Sequence, residues 1–166
     1  QAKARDIVLF PEGAVSGYAH DLSFLEDIDL DEIASALAQL HRQAQEREIH
    51  LWVGTLIQEA GHWLNIACGF TQDGDIHRYR KINLAHHERG TITPGDELPI
   101  FSLRTPNGPL KVGVQICREI RYPEQWGWLA RQGAQAILHL NNAIDNATQL
   151  PVWRSHLVSH AASNGC

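Results

Sequence analysis

An apolar strand that runs directly into a helix limits the folds available to this chain. The run Lys111 to Ile116 places valine and isoleucine at alternate positions, which is typical of a strand that enters a core. Pro123 suits the first turn of a helix, and residues 125–131 continue with helical spacing. Because other apolar strands alternate with helical segments along the chain, the pattern predicts a layered α/β fold.

Cys117 lies at the junction between this strand and this helix. Unpaired backbone N–H groups and the N-terminal end of a helix stabilise a thiolate relative to a thiol, so the junction suits a nucleophile. The alternative is an inert thiol, because free cysteine is among the residues most often buried. Taken alone, the motif favours the inert thiol.

Two other predicted strands end in chemically active residues. Residues 6–10 (DIVLF) form a short apolar run that leads into Glu12. Residues 76–81 form the second arm of a hairpin, with Asp73-Gly74 at its turn, and end in Lys81. A base, a cation and a thiol at three strand ends are the parts that nucleophilic acyl transfer needs.

Three segments resemble the signature segments of the nitrilase superfamily, the carbon-nitrogen hydrolases with a Glu-Lys-Cys triad. They are FPEG around Glu12, YRKINL around Lys81 and GVQICREIRYPE around Cys117. One such match is weak, but three in the right order with comparable spacing are specific. The resemblance covers nearly the whole chain. It implies that residues 1–166 form a single carbon-nitrogen hydrolase domain with a four-layer α-β-β-α sandwich.

Further matches to the family lie between these segments. Asn65 corresponds to an asparagine on the first strand of the family's hairpin, and the resemblance implies that it binds oxyanion or substrate. Glu88 stands six residues before Pro94-Gly95, the place of the family's auxiliary glutamate. The alternative for Glu88 is a plain surface carboxylate.

The chain also departs from the family pattern at both ends. The family domain normally opens with another strand and a long helix before the glutamate, and it normally continues beyond SHAASNG into further strands. We therefore expect the sandwich to be incomplete at both ends. We expect this departure to affect stability and dimerisation more than it affects the triad.

The resemblance implies hydrolysis of an amide or N-carbamoyl group of a small molecule. Glu12 as base and Lys81 as neighbouring cation are expected to increase the fraction of Cys117 that attacks as thiolate. Lys81 and the backbone N–H of Arg118 are expected to hold the oxyanion, and a thioester follows when ammonia or an amine leaves. Glu88 is expected to help position the substrate or water. No cofactor and no metal are expected.

The residue after the nucleophile argues for an amidase. Nitrile-hydrolysing members tend to carry tryptophan there, whereas this chain carries Arg118. If Arg118 or Arg121 faces the pocket, a substrate carboxylate is its natural partner, because a guanidinium binds a carboxylate with two parallel hydrogen bonds. The alternative is that Arg121 pairs with Glu119 or another neighbour.

Composition and charge exclude several other classes of protein. Fourteen basic and nineteen acidic residues give a net charge of -5 without a basic block, which argues against nucleic acid or an anionic membrane as a partner. No apolar run has the length of a membrane span. Three separated cysteines without a CxxC pair are typical of reduced thiols, so we expect a cytoplasmic protein, with a homodimer or higher homo-oligomer for the full-length form.

The sequence offers five other interpretations. The adjacent His86, His87 and Glu88 lack the spacing of a metal site. The sequence GAVSG differs from the elbow of serine hydrolases, and the formal glycosylation sequon at residues 146–148 is expected to be chance. A cysteine protease needs a histidine partner, and His139 and His156 are available, but the residues around the thiol do not resemble those families. The serious alternative is a catalytically silent homologue that acts through protein contacts.

Overall fold

The computed structural model describes residues 2–142 and 149–166, so the sequon at residues 146–148 lies outside the described part. The described residues form seven strands and three α-helices. In chain order they are β1 (Ile7–Leu9), α1 (Leu30–Glu46), β2 (His50–Glu59), β3 (His62–Phe70), β4 (Ile76–Arg80), β5 (Phe101–Thr105), β6 (Gly108–Ile116), α2 (Pro123–Arg131), β7 (Ala136–Leu140) and α3 (Leu150–Asn164).

The strands form two sheets. The first has the order β1-β2-β3-β4, in which β1 pairs parallel with β2 and the other pairs are antiparallel. The second has the order β5-β6-β7, in which β6 and β7 are parallel. The predicted hairpin turn is present between β3 and β4, where Gly74 adopts φ 93°, a backbone conformation that glycine allows without strain.

A large hydrophobic core lies between the two sheets. Trp52, Ala67 and Tyr79 face it from the first sheet. The second sheet supplies aromatic and branched aliphatic side chains: Phe101, Leu103, Val112, Val114, Ile116, Leu138 and Leu140. The alternate positions of β6 that face this core are those that the sequence pattern predicts for the strand before Cys117.

Helices cover the outer faces of both sheets. On the first sheet, α1 packs its Leu37, Leu40 and Ala44 against β2 and β3. The Asp29 side chain caps this helix by accepting from the N–H groups of residues 31 and 32 at 2.9 and 3.1 Å. On the second sheet, α2 packs Leu129 against Gly113, and α3 packs on α2. The predicted α-β-β-α order of layers is confirmed.

The connection after β6 differs from the prediction. The helix α2 begins at Pro123 as predicted, but a 3-10 turn, Cys117–Arg121, lies between the strand and this helix. The chain leaves the strand direction at Cys117 itself, whose φ of 46° lies in the left-handed region. The prediction that the thiol lies at the N-terminus of an α-helix is therefore wrong.

Gly54 brings the middle of β2 against the loop that carries Glu12. A Cβ atom at this position would lie 2.5 Å from the Glu12 Cα and 2.7 Å from the Pro11 carbonyl oxygen. The Gly54 N–H donates to that same oxygen at 3.2 Å. Close approach of the two backbones therefore requires glycine, and it sets the depth of the Glu12 side chain.

Within residues 2–142 and 149–166, no helix is long and apolar enough to span a membrane.

Candidate active site

Strands that are not neighbours bring the predicted residues together, because β1 and β4 are the two edge strands of the first sheet and Cys117 follows β6 of the second. Glu12 follows β1, and Lys81 directly follows β4. The Lys81 backbone N–H donates to the carbonyl of Asn65 on β3 at 2.9 Å, which continues the ladder of the sheet for one residue. The side chains of Glu12, Asn65 and Lys81 are all fully buried.

Lys81 lies between two carboxylates. Its Nζ is 2.7 Å from Glu12 Oε1, 2.8 Å from Glu88 Oε2 and 3.0 Å from Glu88 Oε1. Burial alone lowers the pKa of Lys81, but the two carboxylates outweigh burial, so the pKa is raised and the ammonium persists. Burial likewise raises the pKa of Glu88, but Lys81 and hydrogen bonds outweigh it, so that pKa is lowered and the carboxylate stays ionised.

Asn65 holds the two carboxylates next to each other. Its Nδ2 donates to Glu12 Oε1 at 2.8 Å and to Glu88 Oε1 at 2.6 Å. Two like charges at this separation repel, and the shared amide and the ammonium of Lys81 together offset that repulsion. Asn65 Oδ1 is buried and lacks a hydrogen-bond partner among the residues that the structure describes.

The two oxygens of Glu12 are in different situations. Oε1 accepts from both Lys81 and Asn65. Oε2 is also buried, but within the described chain it has no hydrogen-bond partner. A buried carboxylate oxygen with free lone pairs can accept a proton, and the charge of Glu12 acts on the Cys117 thiol.

Cys117 is half-buried and its thiol is protonated at rest. Burial and the charge of Glu12 raise its pKa to about 12, against the opposing effects of Lys81 and the backbone N–H of Asn142. About one thiol in 10⁵ is then ionised at pH 7. The prediction that the strand-to-helix junction favours a thiolate is wrong, because burial beside a carboxylate outweighs the cation.

Glu88 belongs to this cluster, and the alternative of a surface carboxylate is wrong. It ends a 3-10 turn, His86–Glu88, and its side chain is fully buried. The neighbouring His87 bonds through Nε2 to the Tyr18 hydroxyl at 3.1 Å. Across the described ranges, no group of three or more histidine, cysteine, aspartate or glutamate side chains is arranged to hold a metal ion.

The two arginines after the nucleophile lie in different surroundings. The Arg118 side chain is half-buried, and its Nε is buried without a hydrogen-bond partner in the described part of the chain. Arg121 is exposed and is not brought to the carboxylate cluster. Pairing of Arg121 with Glu119 is not observed, because Glu119 is fully buried and accepts from Tyr79 and three backbone N–H groups.

Sequence reasoning missed Tyr18 as a neighbour of the site. Its ring centroid lies 5.8 Å from Lys81 Nζ. Burial raises the pKa of the Tyr18 hydroxyl, and the charges of Glu12 and Glu88 raise it further, so this group stays protonated. The available signal in the sequence is the Gly17-Tyr18 pair shortly after Glu12.

The chain is similar to known carbon-nitrogen hydrolases. An (R)-stereoselective amidase of Pseudomonas sp is 27% identical over 164 residues, which cover 96% of this chain and 56% of the amidase. A nitrilase of Pyrococcus abyssi is 30% identical over 145 residues, which cover 83% of this chain and 52% of the nitrilase. This chain thus spans about half the length of the curated relatives it matches.

A solved structure shares the fold. It is a mutant amidase of Nesterenkonia sp. AN1 in which acrylamide has added to the active-site cysteine. The match has a TM-score of 0.80 at 21% identity and covers 96% of this chain and 61% of that one. The family model described as carbon-nitrogen hydrolase matches residues 1–166. The chain therefore belongs to the carbon-nitrogen hydrolase family.

Proposed function

We propose that this chain carries the catalytic centre of an amidase-like hydrolase, which cleaves a non-peptide carbon-nitrogen bond of a small molecule through a cysteine thioester. The observation that carries the proposal is the state of Glu12, which has one oxygen held by Lys81 and Asn65 and the other buried and available. Membership of the family and the amidases among its relatives support the reaction class.

The first step joins proton transfer to nucleophilic attack. Because the pKa of Cys117 is raised to about 12, a standing thiolate is too scarce to carry the reaction. The S–H proton passes to Glu12 Oε2 as the sulfur bonds to the amide carbon. The carbonyl oxygen takes the electron pair of its double bond and becomes an oxyanion.

Lys81 supplies one donor to that oxyanion. An ammonium has three N–H groups, of which one donates to Glu12 and one is shared between the two oxygens of Glu88, at 2.8 and 3.0 Å. The third is free to point at the developing charge, and the backbone N–H of Arg118 is the second donor. Each such donor typically contributes about 3 kcal/mol to the transition state in a site that excludes water.

Collapse of the tetrahedral adduct completes the acyl transfer. Its carbon-nitrogen bond breaks, the proton on Glu12 goes to the departing nitrogen, and ammonia or an amine leaves a thioester on Cys117. Water then attacks the thioester while Glu12 accepts its proton, and that proton returns to the sulfur when the acid is released. Glu88 keeps Lys81 and Asn65 in place during both the formation and the hydrolysis of the thioester.

Substrate binding by the arginines is a separate part of the proposal. The half-buried Arg118 with its unpartnered Nε suits a substrate carboxylate, whereas the exposed Arg121 fits this role only at the rim of the site. Replacing a free-acid substrate with its methyl ester is expected to raise KM sharply. An unchanged KM would contradict this assignment.

Ammonia release from a panel of small amides, ω-amides, N-carbamoyl compounds and nitriles tests the function. We expect release by the wild type and by the control Cys166→Ala, and none by Cys117→Ala. Release that persists in Cys117→Ala would overturn the thioester mechanism. Absence of release from every compound by the folded protein would favour the silent homologue, and preference for nitriles would favour a nitrilase.

A cytoplasmic location and a homo-oligomeric state belong to the same proposal. The three cysteines are free, as in a reducing compartment. Apolar side chains are exposed on α2 and α3: Trp128, Leu150, Val152 and Val158. Such side chains are typical of surfaces between subunits. Light scattering on the purified protein tests the assembly, and a monomer at all concentrations would contradict it.

A further inference from the structure

Three ring N–H groups donate to the backbone carbonyls of one short segment, Cys117–Arg121, here named the nucleophile turn. The His139 Nε2 lies 3.0 Å from the Cys117 carbonyl oxygen, and the His160 Nε2 lies 2.7 Å from that of Ile120. Between them, the Trp126 Nε1 donates to the Glu119 carbonyl at 3.0 Å. A carbonyl cannot donate, so both histidines carry a proton on Nε2.

The three rings form a packed group, here named the ring ladder (Trp126, His139 and His160). The centroids of Trp126 and His160 are 4.7 Å apart with the rings 19° from parallel, and those of Trp126 and His139 are 5.8 Å apart. The rings come from α2, β7 and α3, so three elements converge on the nucleophile turn. Because each ring packs on another, the directions of the N–H groups are restricted.

The nucleophile turn needs such support. Cys117 has φ 46°, in the left-handed region that residues with a Cβ atom rarely adopt. Conformations of this kind persist only where the surroundings determine them, and they occur often at active sites. His139 bonds to the carbonyl of Cys117 itself, and it is therefore the ladder member that acts most directly on the nucleophile.

We propose that His139 is a positioning residue that holds the backbone of Cys117 in the left-handed conformation and so keeps the thiol facing Glu12. The inference rests on the proposed function for its effect on turnover. Its effect on the thiol itself is independent of turnover, because the surroundings of Cys117 can be measured without a substrate.

Four variants separate the hydrogen bond from the packing of the ring. His139→Gln keeps an N–H group at nearly the reach of Nε2, whereas His139→Leu fills space without a donor. His139→Asn is polar but too short to reach the carbonyl, and it serves if the leucine variant does not fold. The matched control is His156→Leu, which removes an exposed imidazole that stacks on His160 at 6.1 Å.

The measurements are kcat and KM for the best amide, and the pH dependence of Cys117 alkylation by iodoacetamide, followed by mass spectrometry. We expect the leucine and asparagine variants to lower kcat about 10- to 100-fold, as displaced catalytic groups do, with KM nearly unchanged. The thiol pKa is expected to fall toward its ordinary value once the sulfur turns from Glu12. His139→Gln is expected to keep most of the wild-type kcat and a thiol pKa close to that of the wild type. His156→Leu is expected to match the wild type in both.

Wild-type kcat and thiol pKa in His139→Leu or His139→Asn would overturn the inference. An equal loss of kcat in His139→Gln would also overturn the inference, because packing of the ring, rather than its N–H group, would then support Cys117. If the wild type hydrolyses no amide, the proposed function fails, and the alkylation profiles still decide the role of His139.

Discussion

The Tyr79 hydroxyl, on the last strand of the first sheet, donates at 2.7 Å to the carboxylate of Glu119, which follows the central strand of the second sheet. The same oxygen accepts from the N–H groups of Ile82 and Asn83, and the other oxygen accepts from Ile116 at 2.7 Å. One buried carboxylate thus ties the segment after the proposed cation to the residue before the proposed nucleophile.

Glu119→Gln is expected to weaken both the fold and the site. The amide has one acceptor oxygen, so its NH2 group would face the Ile116 N–H and leave that buried donor unpaired. The expected loss is about 1 to 3 kcal/mol in the free energy of unfolding, with a fall in kcat. Urea unfolding measures the free energy of unfolding, and Glu124→Gln, at an exposed position, is the control. Equal stability of the two variants would contradict the role of Glu119.

Lys81→Ala is expected to abolish most activity and to destabilise the fold. It leaves the carboxylates of Glu12 and Glu88 buried without their cation, a change that typically costs about 3 to 5 kcal/mol. Loss of an oxyanion donor lowers kcat by about 10² to 10³. The exposed Lys111→Ala is the control.

A double variant separates these two effects. Adding Glu88→Gln to Lys81→Ala removes one of the unpaired charges, so it is expected to recover stability without recovering activity. Near-wild-type turnover in either lysine variant would contradict the assignment of Lys81 to the oxyanion.

Glu12→Gln distinguishes the role of Glu12 as base from the role of Cys117 as nucleophile. Amide hydrolysis is expected to fall by about 10² to 10⁴, because the thiol loses its proton acceptor. The pKa of Cys117 is expected to fall from about 12, since the charge of Glu12 helps to raise it. The pH dependence of alkylation measures this shift, with the half-buried Cys166 as internal control. An unchanged alkylation profile would contradict the proximity of Glu12 to the thiol.

The order of labelling among the cysteines follows from the same chemistry. Cys117 is expected to react with iodoacetamide before Cys68 and Cys166, because Glu12 can take its proton as the sulfur attacks, which offsets the raised pKa of the resting thiol. Burial raises the pKa of Cys68 to about 11, and this thiol lies in the core between α1 and the first sheet, so it is expected to react last. First labelling of Cys166 would show that Glu12 does not activate the resting thiol.

Stability is expected to fall as the pH drops below about 6.5. Burial lowers the pKa of His139, and it also lowers the pKa values of His77 and His87. The folded state then binds fewer protons than the unfolded state in the window below the ordinary value, so acid favours unfolding. Urea unfolding between about pH 5 and pH 8 measures the slope, which is expected to be shallower in His139→Gln. A flat profile would contradict burial of these imidazoles.

The sequence predicted the parts of the site that depend on strand ends and local motifs. Glu12 and Lys81 follow their strands, and Asn65 and Glu88 contact them. Their roles in catalysis stay predictions. The α/β sandwich is confirmed, because apolar periodicity and the Asp73-Gly74 turn are local properties of the chain.

The missed features all depend on contacts between distant segments. The pKa of Cys117 is set by burial beside Glu12, which no local pattern records. The sequence suggests His139 only as the partner of a protease thiol, whereas its bond to the Cys117 carbonyl arises from the parallel pairing of β6 with β7. Glu119 stands between two arginines in sequence, but the fold turns it inward to Tyr79.

Because Gly54 has no side chain, the Glu12 loop lies directly against the backbone of β2. The distance between the proposed base and its thiol is therefore set by a residue that takes no part in the chemistry. A single methyl group there would act as a wedge that moves the carboxylate while every reacting group stays chemically intact. A substitution at Gly54 would therefore change the proposed proton transfer from Cys117 to Glu12 through the distance between the two groups, without a change in the chemistry of either side chain.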